Sequence, residues 1–81
     1  GLAWCIPRRI NIKKTSTGKD YLLVEVTDSN SSNVRVRCWG VDPSMGDILE
    51  LNKPYLMKPA YNEQWGFSTR GRITKYWKKI A

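Results

Sequence analysis

The chain has 81 residues, 41% of them hydrophobic and 26% charged, with 14 Lys and Arg against 7 Asp and Glu, a net charge of +7. This length indicates one soluble domain with a modest core, too small for a large enclosed catalytic cavity. The sequence has no histidine, no CxxC pair and no apolar run near the ~20 residues of a membrane span, which excludes the usual zinc sites and a spanning helix.

The first predicted element is a strand over residues 4–14, because hydrophobicity there alternates with period two. The apolar side of this strand is expected to contain Trp4, Ile6, Ile10 and Ile12. Pro7 lacks a backbone donor, so we expect either an edge strand or a β-bulge near its start. The TSTG sequence at 15–18 then predicts a turn, since Gly18 adopts a positive φ at little cost.

The next two predicted strands cover residues 19–28 and 34–40 and are joined by the polar loop SNSSN. One parity of this hairpin is apolar and is expected to face the core: Leu22, Val24, Val26, Val34, Val36 and Cys38. The opposite parity combines aromatic and basic side chains: Tyr21, Arg35, Arg37 and Trp39. The buried position expected for Cys38 favours an unpaired thiol in a reducing compartment.

The second half of the chain predicts two further strands. A short helical connection is expected after Asp42-Pro43, followed by a strand over 53–61 that Pro59 interrupts. The NEQ sequence then turns the chain into a strand over 65–73. The last stretch, 73–80, has both a helical apolar spacing and strand-like composition, so both alternatives stay open.

Five strands with a helical connection between the third and fourth predict an all-β, five-stranded Greek-key barrel, in which closure removes exposed sheet edges. The stretch KKTSTGKDYLLVEVTDSNSSNVRVRCWG resembles the first half of oligonucleotide-binding (OB) folds of the anticodon-type group, including the OB domains of bacterial and phage replicative DNA polymerase III alpha subunits. The residues that match this pattern are Thr15, Gly18, Lys19, Tyr21, Val24, Val26, Asp28, Val34 and Val36. The resemblance covers residues 10–40 well and the remainder loosely.

The resemblance implies a single-stranded nucleic-acid-binding surface on the second and third strands. Aromatic rings stack on bases and cations contact phosphates, so we expect binding by this outer parity. The predicted binding residues are Tyr21, Arg35, Arg37, Trp39, Lys58, Tyr61, Trp65, Phe67, Arg70, Arg72, Lys13 and Lys14. Trp65 has two interpretations, a finger over the ligand or a plug of the barrel end, and Trp4 and Trp77 belong either to the core or to a junction.

The predicted function is binding of single-stranded DNA within a replication or repair protein, with residues 1–81 forming one OB domain of a larger cytoplasmic protein. Contacts with other domains or subunits of a replication complex are expected, and contacts with a membrane are not. No general acid–base pair or nucleophile is evident, so we expect a non-catalytic domain without a cofactor. The alternatives are an RNA- or tRNA-binding OB domain, a protein-interaction barrel and, less favoured, an SH3-like barrel.

Overall fold

The computed structural model describes residues 1–80 and forms one strongly curled, half-barrel β-sheet. Its seven strands are β1 (Ala3–Lys14), β2 (Asp20–Asp28), β3 (Asn33–Trp39), β4 (Tyr55–Met57), β5 (Ala60–Asn62), β6 (Gly66–Arg70) and β7 (Trp77–Lys79). A 3₁₀ turn at Pro43–Met45 and the short helix α1 (Ile73–Tyr76) complete the fold. The all-β, barrel-like architecture predicted from the sequence is therefore confirmed.

The strands lie in the order β5-β6-β3-β2-β1-β4-β7. All neighbouring pairs are antiparallel except β3 and β6, which run parallel. The described chain has seven strands rather than the five expected, because the predicted strand over 53–61 divides into β4 and β5 around Pro59 and because β7 is added. Proline cannot donate to a ladder, which explains the division.

The core side of the β2–β3 hairpin agrees with the prediction. Leu22, Val24, Val26, Val36 and Cys38 are each at most 2% exposed, and Val34 packs against them from a half-buried position. The helix and the later strands contribute Tyr55, Met57, Ile73 and Trp77 to the same core. The opposite parity of β2 and β3 is consequently available to form an outer face.

Of the four residues predicted on the core side of β1, only Ile10 packs against the core, and Ile12 is 70% exposed near the end of the strand. In the first half of the strand the predicted side is wrong. Cys5 and Pro7 are buried there, whereas Trp4 is 39% exposed and Ile6 half-buried. The register of β1 against β2 shifts between Pro7 and Arg9, so a bulge reverses the parity along the strand. Of the two alternatives predicted from Pro7, the β-bulge is confirmed. The other alternative, an edge strand, is wrong because β1 pairs with both β2 and β4.

The loop after the 3₁₀ turn is fixed by the buried carboxylate of Asp47, which is 5% exposed. Its oxygens accept hydrogen bonds from the backbone N–H groups of Asp42 (3.0 Å) and Ile73 (2.8 Å). The Arg72 guanidinium Nε lies 2.8 Å from the same carboxylate. Asp47 therefore joins the connection between β3 and β4 to the start of α1.

The segment 73–80, for which both a helix and a strand were predicted, forms first one and then the other. Residues Ile73–Tyr76 form one helical turn, and the chain then extends as β7 beside β4. Ile73, in the helical turn, is 5% exposed, and Trp77, at the start of β7, is 3% exposed. The helical turn and the strand therefore each contribute a side chain to the same core. Trp77 belongs to this core, where its indole N–H donates to Thr69 Oγ1 at 3.4 Å.

Both cysteines are free and buried. Burial raises the pKa of each thiol to about 11, with the other thiol contributing to the rise at Cys5. Both thiols are therefore protonated at neutral pH and pack as small apolar groups. Among residues 1–80, no helix has the length and apolar character needed to cross a bilayer.

Candidate functional site

The outer face carries a concave surface that we call the aromatic groove, with a volume of about 560 Å³. Strands β2, β3 and β6 form its floor, and the β1–β2 and β5–β6 turns form its walls. Its lining residues are Thr15, Ser16, Tyr21, Arg37, Trp39, Asn62, Trp65, Ser68 and Arg70. This set contains three aromatic rings and two guanidinium groups, and no carboxylate.

The strand registers explain why these side chains meet. In the β3–β6 pair, Arg37 lies opposite Ser68 and Trp39 opposite Arg70, and opposed residues share a face of the sheet. Tyr21 on β2 reaches Trp39 on β3, with ring centroids 4.4 Å apart and planes tilted by 33°. The floor is thus a pre-stacked aromatic pair flanked by basic residues.

Two cations surround the indole of Trp39. Lys19 Nζ lies 5.6 Å from the ring centroid, and the Arg70 guanidinium carbon lies 6.0 Å from it. Both distances are within cation–π range. These contacts place positive charge at the edge of the aromatic floor.

The β1–β2 turn is a compact wall of the groove. Gly18 adopts φ +87°, and its N–H donates to the Thr15 carbonyl at 2.9 Å. The Thr15 hydroxyl oxygen accepts a hydrogen bond from the Lys19 N–H at 3.0 Å. The predicted turn at 15–18 is confirmed, and its residues Thr15 and Ser16 line the groove.

The β5–β6 turn forms the facing wall and carries Trp65, which is 57% exposed. The Asn62 side-chain oxygen accepts hydrogen bonds from the N–H groups of Gln64 (2.8 Å) and Trp65 (3.2 Å). Gly66 follows with φ +75° and allows the chain to enter β6. Trp65 lies at the side of the groove with its ring largely in solvent, so it does not plug the barrel.

Arg37 connects this wall to the floor. Its guanidinium donates a hydrogen bond to the Trp65 carbonyl and lies over the indole, 5.8 Å from the ring centroid. Among the ion pairs of residues 1–80, none involves Arg37. The half-buried Arg37 therefore contacts an aromatic residue, Trp65, rather than a carboxylate.

Five of the predicted binding residues line the groove: Tyr21, Arg37, Trp39, Trp65 and Arg70. Lys13 pairs in register with Tyr21 and shares its face, while its side chain is exposed beside the groove. Lys14 lies 3.3 Å from Asp20 in a surface ion pair. Arg35 lies outside the groove, 3.7 Å from Glu25, which also pairs with Arg9 at 3.6 Å.

The other predicted residues lie elsewhere. Phe67 is opposite Val36 on the inner side of the sheet and packs against the core, and the Tyr61 ring contacts it at a tilt of 59°, with centroids 5.0 Å apart. Arg72 pairs with buried Asp47 and so has a structural contact. Lys58 is exposed between β4 and β5, and its backbone N–H donates to the Tyr76 carbonyl. None of these four lines the groove.

Sequence reasoning missed Thr15, Ser16, Asn62 and Ser68 as groove residues, and it missed Asp47 as the buried carboxylate that fixes the loop after the 3₁₀ turn. Ser68 follows from the outer parity of β6, once the parallel β3–β6 pairing is known. Asn62 had a usable signal, because Asn at the start of a turn commonly accepts backbone hydrogen bonds. Asp47 had none, since its partner Ile73 lies 26 positions away.

Within residues 1–80, no group of three or more metal-ligating side chains is close enough to hold a metal ion. No family model, curated protein or solved structure matches the chain.

Proposed function

We propose that this domain binds single-stranded nucleic acid, preferentially DNA, in the aromatic groove. The observation that carries the proposal is the convergence of Tyr21, Trp39 and Trp65 with Arg37 and Arg70 on one concave surface without a carboxylate. Every base has a π-face and every linkage a phosphate, so this combination grips a flexible strand without reading its sequence. The action proposed is binding rather than catalysis.

The charge distribution supports the same ligand. The chain carries a net charge of +7, and two carboxylates of β2 are ion-paired: Asp20 with Lys14, and Glu25 with Arg9 and Arg35. Glu63, in the turn between Asn62 and Trp65, has no ion pair within residues 1–80. The β2 ion pairs lie on exposed surface and contribute little to stability. Their effect is to neutralise acids that would repel a polyanion, which leaves Lys13, Lys19 and Arg70 to attract one.

The fold proposed for this function is the five-stranded OB barrel. Its support is that β4 and β5 are separated by only two residues, Lys58 and Pro59, and act as one interrupted strand. Pairing then runs from this strand through β1, β2 and β3, and returns to it through β6. On this assignment, the groove lies on the second and third strands between the two loops that OB folds use for binding.

The proposal predicts salt-dependent binding of a short, labelled oligo(dT). Fluorescence anisotropy at about 50 mM and about 300 mM salt should show affinity falling as salt rises, because phosphate contacts release counterions. Binding should persist for oligo(dC) of equal length, since stacking tolerates different bases. Absence of binding at the lower salt, or an affinity that does not respond to salt, would contradict the proposal.

Deoxy- and ribo-oligomers of one sequence separate DNA from RNA as the ligand. Stronger binding of the deoxy-oligomer supports the proposal, whereas a clear preference for the ribo-oligomer would indicate contacts to the 2′-hydroxyl and replace DNA by RNA. A duplex of the same sequence serves as the control for net charge. It should bind more weakly, because its bases are already stacked and paired and are not available to Tyr21, Trp39 and Trp65.

A further inference from the structure

We propose that Arg37 is a positioning residue, which holds Trp65 at the side of the aromatic groove and does not itself contact phosphate. The inference rests on the proposed function and assigns Arg37 a role other than the one its charge suggests. The first observation is that both described contacts from β3 to Trp65 come from Arg37, through the Trp65 carbonyl and through the indole.

The β5–β6 hairpin needs such an anchor. All three residues of β5 are exposed, and within residues 1–80 β5 pairs with no strand except β6, over Ala60, Tyr61 and Asn62. The turn itself is closed locally by the Asn62 side chain. These bonds fix the shape of the turn but not its distance from β3. The β3–β6 ladder begins at Phe67 and fixes the base of the hairpin, and the Arg37 guanidinium ties the turn beyond that ladder to β3.

The surroundings of Arg35 and Arg37 differ, and the difference supports a positioning role for Arg37 alone. Arg35 is exposed and pairs with a carboxylate at the surface, whereas Arg37 is half-buried in the groove. A planar guanidinium stacks on an indole and donates to a carbonyl at the same time, which an ammonium group does not reproduce. With Arg37 engaged on one face of Trp65, the other face is left for a base.

The role is tested first without ligand. Protein labelled with 5-fluorotryptophan gives one ¹⁹F resonance per tryptophan, and Trp65→Phe assigns that of Trp65. Arg37→Met should shift this resonance toward the position of solvent-exposed fluorotryptophan and leave the Trp77 resonance unchanged, and Arg35→Met should leave the Trp65 resonance in place. An unchanged Trp65 resonance in Arg37→Met would overturn the proposal. Because this readout needs no nucleic acid, it decides on Arg37 even if the domain binds none.

The second test separates positioning from phosphate contact. Arg37→Met should weaken oligo(dT) binding roughly tenfold, by loss of one stacking platform, and leave the slope of log affinity against log salt unchanged. Arg70→Met should reduce that slope by about 0.7, the value of one phosphate contact to a single strand. An equal reduction of the slope in Arg37→Met would overturn the proposal.

Two further variants complete the design. Arg37→Lys retains the charge, and a residue that only contacted phosphate would tolerate it. We expect instead a several-fold loss of affinity and a shifted Trp65 resonance. The double variant Arg37→Met/Trp65→Ala should bind as Trp65→Ala does, since Arg37 acts through Trp65. Losses that add, or an Arg37→Lys variant with full affinity, would overturn the proposal.

Discussion

Replacing Trp65 with alanine is expected to weaken oligo(dT) binding about 5- to 150-fold, because loss of one stacked base costs roughly 1–3 kcal/mol. The indole is 57% exposed and stands outside the core, so the melting temperature should change little. Fluorescence anisotropy at about 50 mM salt measures the affinity, and circular dichroism the melting temperature. Loss of affinity without loss of stability would show that the Trp65 ring contacts the ligand and is not needed for the fold.

Trp4 provides the matched control for this substitution. Its side chain is also partly exposed, but it lines a separate cavity of about 150 Å³ bounded by Val26, Val34 and Phe67, beyond the groove. Trp4→Ala removes an equally large ring and should leave oligo(dT) affinity within about twofold of wild type, which corresponds to about 0.4 kcal/mol. Equal losses in Trp4→Ala and Trp65→Ala, or full affinity in Trp65→Ala, would contradict the location proposed for the ligand.

Replacing Asp47 with asparagine is expected to lower the free energy of unfolding at pH 7 by about 2–3 kcal/mol, because charge-assisted hydrogen bonds to buried groups are lost. Burial acts to raise the pKa of the Asp47 carboxyl, but hydrogen bonds from Asp42, Ile73 and Arg72, with the charge of Arg72, lower it on balance. Urea unfolding at pH 7 measures the change. Asp20→Asn, at an exposed ion pair, is the control and should change stability by less than about 0.5 kcal/mol.

The acid dependence of stability gives this prediction a second readout. A carboxyl with a folded-state pKa below the unfolded value of about 3.9 stabilises the fold above that pH and ceases to do so as pH falls through the folded-state pKa. Wild type should therefore lose stability below about pH 4 more steeply than Asp47→Asn. Glu50, whose pKa the hydrogen bond from Lys79 also lowers, contributes equally to both proteins. Parallel acid profiles would contradict the role of Asp47.

The β2–β3 hairpin is the part of the fold that the sequence predicts best. Its core and outer parities alternate within each strand, from Tyr21 to Thr27 and from Val34 to Trp39, so a period-two pattern determines which side chains are buried. The same pattern fails in β1, because the bulge between Pro7 and Arg9 inserts a residue and reverses the parity. A proline indicates that a bulge is possible, but local sequence does not fix its position.

The groove was predictable only in part, for a physical reason. Tyr21 and Trp39 come from one hairpin and follow from its alternation, whereas Trp65 and Arg70 depend on the parallel pairing of β3 with β6, a long-range contact. The same pairing places Phe67 on the inner side of the sheet. Its position next to the β5–β6 turn in the sequence does not indicate which side of the sheet it faces. The sequence predicts that Arg72 binds the ligand, but in the structure its guanidinium forms an ion pair with the buried carboxylate of Asp47.

The most direct test of nucleic-acid binding in the aromatic groove is an NMR titration of the ¹⁵N-labelled domain with a short oligo(dT) at low salt. We predict that the largest backbone amide shifts, together with those of the indole N–H signals of Trp39 and Trp65, cluster at Thr15, Ser16, Tyr21, Arg37 and Arg70. Shifts centred instead on Trp4 and Phe67, or spread evenly over the surface lysines, would contradict it.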